Sequence, residues 1–191
     1  MPYFAGSAPA RQATCGVASL TFPELEAALE AVRASPPDHG RLELIVCRPA
    51  TDQREIVDEA RLELETGLSG DSWISRKPDF ERQLTLINAR FSLLIGGDED
   101  GASQAGDQLH VDFDLSEANA PAGTRLSFGD AVIEITAEPH TGCAKFSRRY
   151  GPDTLRFVNS ELGRELHLRG VNARVIVPGA IRRGMVMSKS G

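Results

Sequence analysis

Along most of the chain apolar residues recur at a period of two, the spacing of a strand with one buried face. The segments "RLELIVCRP" (41–49), "ARLELET" (60–66), "RQLTLIN" (82–88), "QLHVDFD" (108–114), "RLSF" (125–128), "AVIEITA" (131–137) and "ARVIVPG" (173–179) alternate or run apolar over strand lengths. Helical spacing is rarer. In "TFPELEAALEAVRAS" (21–35) Leu25, Ala28, Leu29 and Val32 share a helical face, Thr21 and Glu24 fit a capping box, and Pro23 sits in the first turn, where its missing N–H is harmless. "SPPDHG" (35–40) then stops the helix. "NARFSLLIG" (88–96) predicts a second helix, and "DTLRFVNSELGRELHL" (153–168) one long or two short ones with Asp153 and Ser160 as caps. "GGDEDGASQAGD" (96–107) is acidic, glycine-rich and without apolar anchors, which predicts a mobile surface loop.

Strands that follow one another with so few helices between them disfavour a doubly wound parallel sheet, which needs a crossover helix between successive strands. They favour a closed or strongly bent antiparallel sheet, where closure removes exposed edges. The 191 residues suit one domain, with a tail and helix over 1–40 and a β-barrel core over 41–187.

Composition narrows the function classes. At 41% hydrophobic and 25% charged the chain is neither disordered nor membrane-like, and no apolar run reaches the roughly 20 residues of a spanning helix. The opening "MPYFAGSAPARQATCG" has no basic n-region and no continuous apolar stretch, so a cytoplasmic protein is expected. A net charge of -6 argues against general affinity for nucleic acid, whose phosphates require a cationic surface. Cys15, Cys47 and Cys143 are odd in number and widely spaced, which fits a reducing compartment better than a disulfide framework.

One of these cysteines stands apart by its neighbours. "EPHTGCAKFSRRYG" (138–151) begins where a strand leaves the sheet and surrounds Cys143 with His140, Lys145, Arg148 and Arg149. A buried structural thiol needs no cations, whereas a nearby positive charge favours the thiolate, which is a nucleophile, a persulfide carrier or a soft metal ligand. Gly142, without a Cβ, leaves room for a ligand or another backbone to approach. Cys15 and Cys47 have no such surroundings and are read as structural. Two metal alternatives compete. His110, Asp112 and Asp114 share one face of a strand, and His140 stands three before Cys143, but a closed zinc site needs four ligands and no second such pair exists. No G-x-S-x-G elbow supports hydrolase chemistry.

In combination, "HTGCAKF", "GLSGDSW", "RQLTLIN" and "GDQLHVDFDLSEANAPAGTRLSFGDAVIEIT" resemble the MOSC domain, named for the C-terminal domain of molybdenum cofactor sulfurases, and in particular its stand-alone bacterial type. The likeness runs from about Arg41 to Met187. It implies a mainly β protein with a few short helices, a MOSC-type bent antiparallel β-barrel. It also implies that Cys143 is the functional cysteine, ligating the molybdenum of a pyranopterin cofactor as in the amidoxime reductases, or handling sulfur for that cofactor as in the sulfurases. A pterin phosphate would need cations, and the candidates are Arg82, Lys145, Arg148 and Arg149. Gln83, His140, Asp71 and Asn119 join them as cofactor-binding candidates, each with a plain alternative: Gln83 facing water on a strand, Asp71 and Asn119 in turns, and the arginine pair on a solvated surface.

The activity implied is reduction of N-hydroxylated compounds, with electrons from an external reductase because the chain shows no flavin, haem or iron-sulfur signature. The alternatives are a sulfur carrier that forms a persulfide on Cys143 and takes sulfur from a donor protein, and a non-catalytic binding barrel. No pyridoxal phosphate is expected, since the desulfurase domain that uses it has no counterpart. The amidoxime reductases also carry an N-terminal β-barrel region for which residues 1–40 offer only a helix, so retention of the cofactor by this chain is open, as is a homodimer.

Overall fold

The computed structural model describes residues 19–75 and 78–190. It opens with two short helices, α1 (Phe22–Ala27) and α2 (Leu29–Arg33), where the periodicity predicts one. The Glu24 carboxylate accepts hydrogen bonds from Thr21 N–H and Oγ1, both at 2.7 Å, so the expected start is present. The break falls at Ala28, whose ψ of -6° leaves the helical range, yet Leu25, Leu29 and Val32 still bury into one core.

Next come β1 (His39–Cys47), β2 (Glu55–Val57), β3 (Glu59–Glu63), β4 (Gly67–Leu68) and β5 (Leu84–Asn88). The helices α3 (Ala89–Gly96) and α4 (Glu99–Ser103) then lead to β6 (Leu109–Asp112), β7 (Arg125–Phe128) and β8 (Ala131–Ile135). Three more short helices follow, α5 (Ala144–Tyr150), α6 (Pro152–Val158) and α7 (Glu161–Glu165), and the last strands are β9 (Val171–Val177), β10 (Gly179–Arg182) and β11 (Val186–Ser190).

Seven of the strands close a barrel in the order β11, β7, β8, β9, β5, β6, β1, and β1 returns to β11 through the pairs His39↔Ser188, Gly40↔Met187 and Arg41↔Val186. β2 flanks β1 outside the ring, while β10, β3 and β4 form a separate small sheet. The barrel is mixed rather than wholly antiparallel: β5 and β6 run parallel, pairing Leu86 with Leu109 and Ile87 with His110. Residues 89–108 carry the chain back as α3 and α4, and strands joined by such a crossover point the same way.

The acidic segment 96–107 is therefore not a mobile loop. Asp98 caps α4 by accepting the Gly101 N–H at 2.7 Å, and Gly101, Ala102 and Ser103 are buried. Gly96 and Gly101 lie so close that a Cβ on Gly101 would stand 2.0 Å from Gly96 O. Two helices meeting backbone to backbone leave no apolar periodicity to read.

Burial divides into two clusters. Leu42, Leu84, Leu86, Val111, Phe128 and Ile133 fill the barrel, and Leu25, Ile87, Phe91, Phe146, Phe157 and Leu168 join its outer face to the helices. β5 is buried at every position because Leu84 and Leu86 face the interior while Ile87 faces the helical layer. No helix among the described residues is long and apolar enough to cross a membrane.

Candidate functional site

Past β8 the chain is tied down step by step. Thr136 donates its N–H to Asn172 O at 2.9 Å and its hydroxyl to Glu81 O at 2.6 Å. Gly142 gives its N–H to Asn159 Oδ1 at 3.0 Å and accepts from Asn159 Nδ2 at 3.3 Å. A Cβ at Gly142 would meet Leu155 Cδ1 at 2.7 Å, so this glycine serves close packing on α6 rather than the approach of a ligand. Anchored in this way, the next residue, Cys143, becomes the N-cap of α5, and Phe146 and Tyr150 hold that helix in the outer core.

The Cys143 thiol is exposed. Its partial burial works to raise the pKa, but the backbone N–H groups of Phe146 and Lys145, and after them the charges of Arg169 and Arg149, outweigh it and hold the thiol below its ordinary value. Sγ closes no capping hydrogen bond of full geometry, so these two N–H groups of the first turn act on it electrostatically. Cys47 is the opposite case: burial first, then the neighbouring Asp71 carboxylate, pushes its thiol up, as expected of a structural cysteine. Cys15 lies outside the described residues.

Of the cations in this region, Arg149, Lys145 and Arg48 are each held by a protein partner. Arg149 donates to Gln104 O at 2.6 Å and to Asp52 at 3.3 Å, and Lys145 reaches the same carboxylate at 3.1 Å. Arg48 forks onto Asp71 at 2.7 and 3.0 Å and donates to Gly106 O at 2.9 Å. Asp71 thus orients an arginine and also accepts the Trp73 N–H at 2.9 Å, with no capacity left for a ligand. Arg148, one position round the helix from Arg149, is exposed and makes no ion pair with any described residue.

Behind Cys143 lies a polar cluster buried in the protein. Arg169 donates to Asp107 Oδ2 at 2.7 Å and to Ala105 O at 3.1 Å, with its guanidinium 4.8 Å from the centre of the Phe146 ring. Burial works against an ionised Asp107, yet the Arg169 charge prevails and holds its carboxyl below the usual range. His140 Nδ1 is 3.5 Å from Asp107 Oδ1, and His110 bonds Ser92 Oγ at 2.8 Å. Burial lowers both rings, His110 to about 4 and His140, where the Arg169 charge adds to the effect, to about 3, so both are neutral near pH 7. Asp107 Oδ1, His110 Nε2, His140 Nδ1 and Arg169 Nε are all sealed from solvent without a hydrogen-bond partner.

The candidates read from the sequence divide accordingly. Cys143, Lys145, Arg149 and His140 fall in one region, and Arg82 stands at its edge, paired with Glu138 and 3.7 Å from Asp79. Gln83 does not face water and is no free ligand group: it is fully buried, donating to Leu64 O at 2.7 Å and accepting the Val175 N–H at 2.8 Å. Asn119 is committed elsewhere, to Pro37 O, Asp114 O and Lys189 Nζ. The metal trio is dispersed, with Asp112 taken bidentately by Arg90 and Asp114 accepting the Ser116 N–H at 3.0 Å. Among the described residues no group of three or more His, Cys, Asp or Glu is arranged to hold a metal ion. Arg48, Asp107 and Arg169 were not legible, since each comes from a different segment and none stands in a spacing that signals chemistry.

A cavity of about 680 Å³ opens between residues 135–141 and 163–172; His140 and Arg169 line it, and Cys143 does not.

No protein-family model matches the chain, and no curated protein does. Solved structures do resemble it. The YuaD protein from Bacillus subtilis superposes with a TM-score of 0.58 at 16% identity, over 78% of this chain and 94% of that one. YiiM from Escherichia coli gives 0.54 at 23% identity over 79% and 70%, and YiiM from Geobacillus stearothermophilus 0.57 at 14% over 80% and 75%. At these identities the likeness is one of fold: a mostly β protein with a closed seven-stranded mixed barrel and a few short helices, consistent with the MOSC type.

Proposed function

We propose that the chain is a MOSC-type protein that binds a molybdenum pyranopterin cofactor through Cys143 and reduces N-hydroxylated compounds with electrons from a separate reductase. The observation that carries this is the exposed, acidified thiol at the head of α5. A soft thiolate is a suitable donor for molybdenum. Fit is further supported by the cations: Lys145, Arg148 and Arg149 lie on one short helix, and among the described residues Asp52 is the one carboxylate paired with them, which leaves net positive charge for a phosphate. When bound, the cofactor supplies a metal that exchanges an oxygen atom with substrate. The chain's own residues position it. Asn159 and the α6 contact at Gly142 fix Cys143, Asp71 fixes Arg48, and Arg169 keeps a positive charge behind the sulfur.

One observation favours a second function, sulfur transfer. Cys143 lies outside the cavity, at the surface, where a partner protein can reach it. Its thiolate would attack the terminal sulfur of a donor persulfide, forming Cys143–S–SH and releasing the donor thiolate, with no change in the number of electrons.

Metal and pterin analysis of wild type and Cys143→Ala from a molybdenum-competent host separates the two. Molybdenum near one per chain in the wild type, lost in the variant, is expected. Metal-free wild type that takes up sulfane sulfur at Cys143 replaces the first function with the second, and protein that does neither overturns both.

A further inference from the structure

The cavity beside His140 has a composition of its own. Ile135, Pro139, Val158 and Val171 make it largely apolar. Its inner charges are paired within the protein, Glu138 with Arg82 and Arg169 with Asp107 at 2.7 Å, while Glu117, Arg164 and Glu165 are exposed to solvent. Among its buried lining residues a charged ligand would find no unpaired opposite charge.

Two lining residues offer unused hydrogen-bonding atoms. Asn172 donates Nδ2 to Glu138 O at 3.0 Å; a carbonyl only accepts, so the amide orientation is fixed and Oδ1 is left over as an acceptor. His140 Nδ1 lies 3.5 Å from Asp107 Oδ1, too far for a hydrogen bond, but the carboxylate's charge favours the neutral tautomer with its proton on Nδ1 and a lone pair on Nε2. Neither Nε2 nor Oδ1 bonds any described residue, and neither is among the polar atoms sealed from solvent. The result is an apolar chamber of ligand size with two open acceptors.

We propose that this cavity binds a neutral small molecule with an apolar, ring-sized body and at least one N–H or O–H donor, received by His140 Nε2 and Asn172 Oδ1. The site requires neither a metal nor a reactive sulfur, so it stands whether or not Cys143 carries a cofactor.

The test uses 2-naphthol and its donor-less analogue 2-methoxynaphthalene, followed by amide chemical shifts of the 15N-labelled chain and by calorimetry. Wild type should bind 2-naphthol with shifts at residues 135–141 and 163–172, and bind the methoxy compound roughly fivefold to tenfold more weakly, the worth of one hydrogen bond. His140→Phe keeps a ring and removes the acceptor, so the two affinities should converge. Ala122→Trp, at an exposed lining position, should weaken both probes with the acceptors intact. The wild-type ratio together with Ala122→Trp decides the matter if His140→Phe does not fold. Cys143→Ala should bind 2-naphthol as wild type does. No shifts at these segments with millimolar probe, equal affinities for the two probes in wild type, or loss of binding in Cys143→Ala would overturn the proposal.

Discussion

At the scale of single residues, Cys143 owes its character to where its helix begins. The N–H groups of Lys145 and Phe146 and the charges of Arg169 and Arg149 act on one sulfur, against a modest cost of burial. Limiting iodoacetamide near neutral pH should therefore label Cys143 well ahead of Cys47, and peptide mapping by mass spectrometry reads the order. Arg149→Gln removes one of these charges, so the pH midpoint of alkylation should move up and the rate at pH 7 should fall; an unchanged midpoint would mean that the helix end and Arg169 act without Arg149. Arg169 is a poorer choice of test, because its removal strands the buried Asp107 carboxylate, a loss of about 3–5 kcal/mol for a broken buried pair.

At the scale of elements, the crossover between β5 and β6 does most to build the site. It ends with Gln104, Gly106 and Asp107, which respectively hold Arg149, hold Arg48 and pair with Arg169. Its geometry depends on the contact of Gly96 with Gly101, so Gly101→Ala, whose Cβ would fall 2.0 Å from Gly96 O, should cost roughly 1–3 kcal/mol in a urea titration and speed the alkylation-independent proteolysis of segment 96–107. None of this was legible in the residue pattern. Strands long enough to show alternation, such as β1, β5, β8 and β9, were found within a few residues of their ends. β2 and β4 span only three and two residues, and β11 carries polar "SKS", so none shows a period. Hydropathy also cannot state the direction of a partner strand, which is why the parallel pair went unseen. Cys143 was recognisable because its cations are neighbours in sequence, whereas Arg48, Asp107 and Arg169 meet only through the fold.

At the scale of the whole molecule, the buried histidines set an acid limit on stability. His110 and His140 have folded values of about 4 and about 3 against an ordinary 6.5. Between those values the unfolded chain binds protons that the folded one refuses, so stability is full above pH 6.5 and falls as pH drops towards 4, by about 1.4 kcal/mol per pH unit for each ring. Asp107, held low, adds a separate loss further down, as pH falls through its folded value. Urea midpoints for wild type and His110→Gln between pH 4.5 and 7 check this: the variant should show the shallower slope. The closure of the barrel has a consequence for biosynthesis. β11 bridges β1 and β7, and it follows every other strand described. A nascent chain emerging from the ribosome thus displays two unsatisfied borders until β11 arrives, and during this interval it is open to sticking to its neighbours. Translation speed and chaperone supply should therefore influence how much of this protein a cell recovers in usable form.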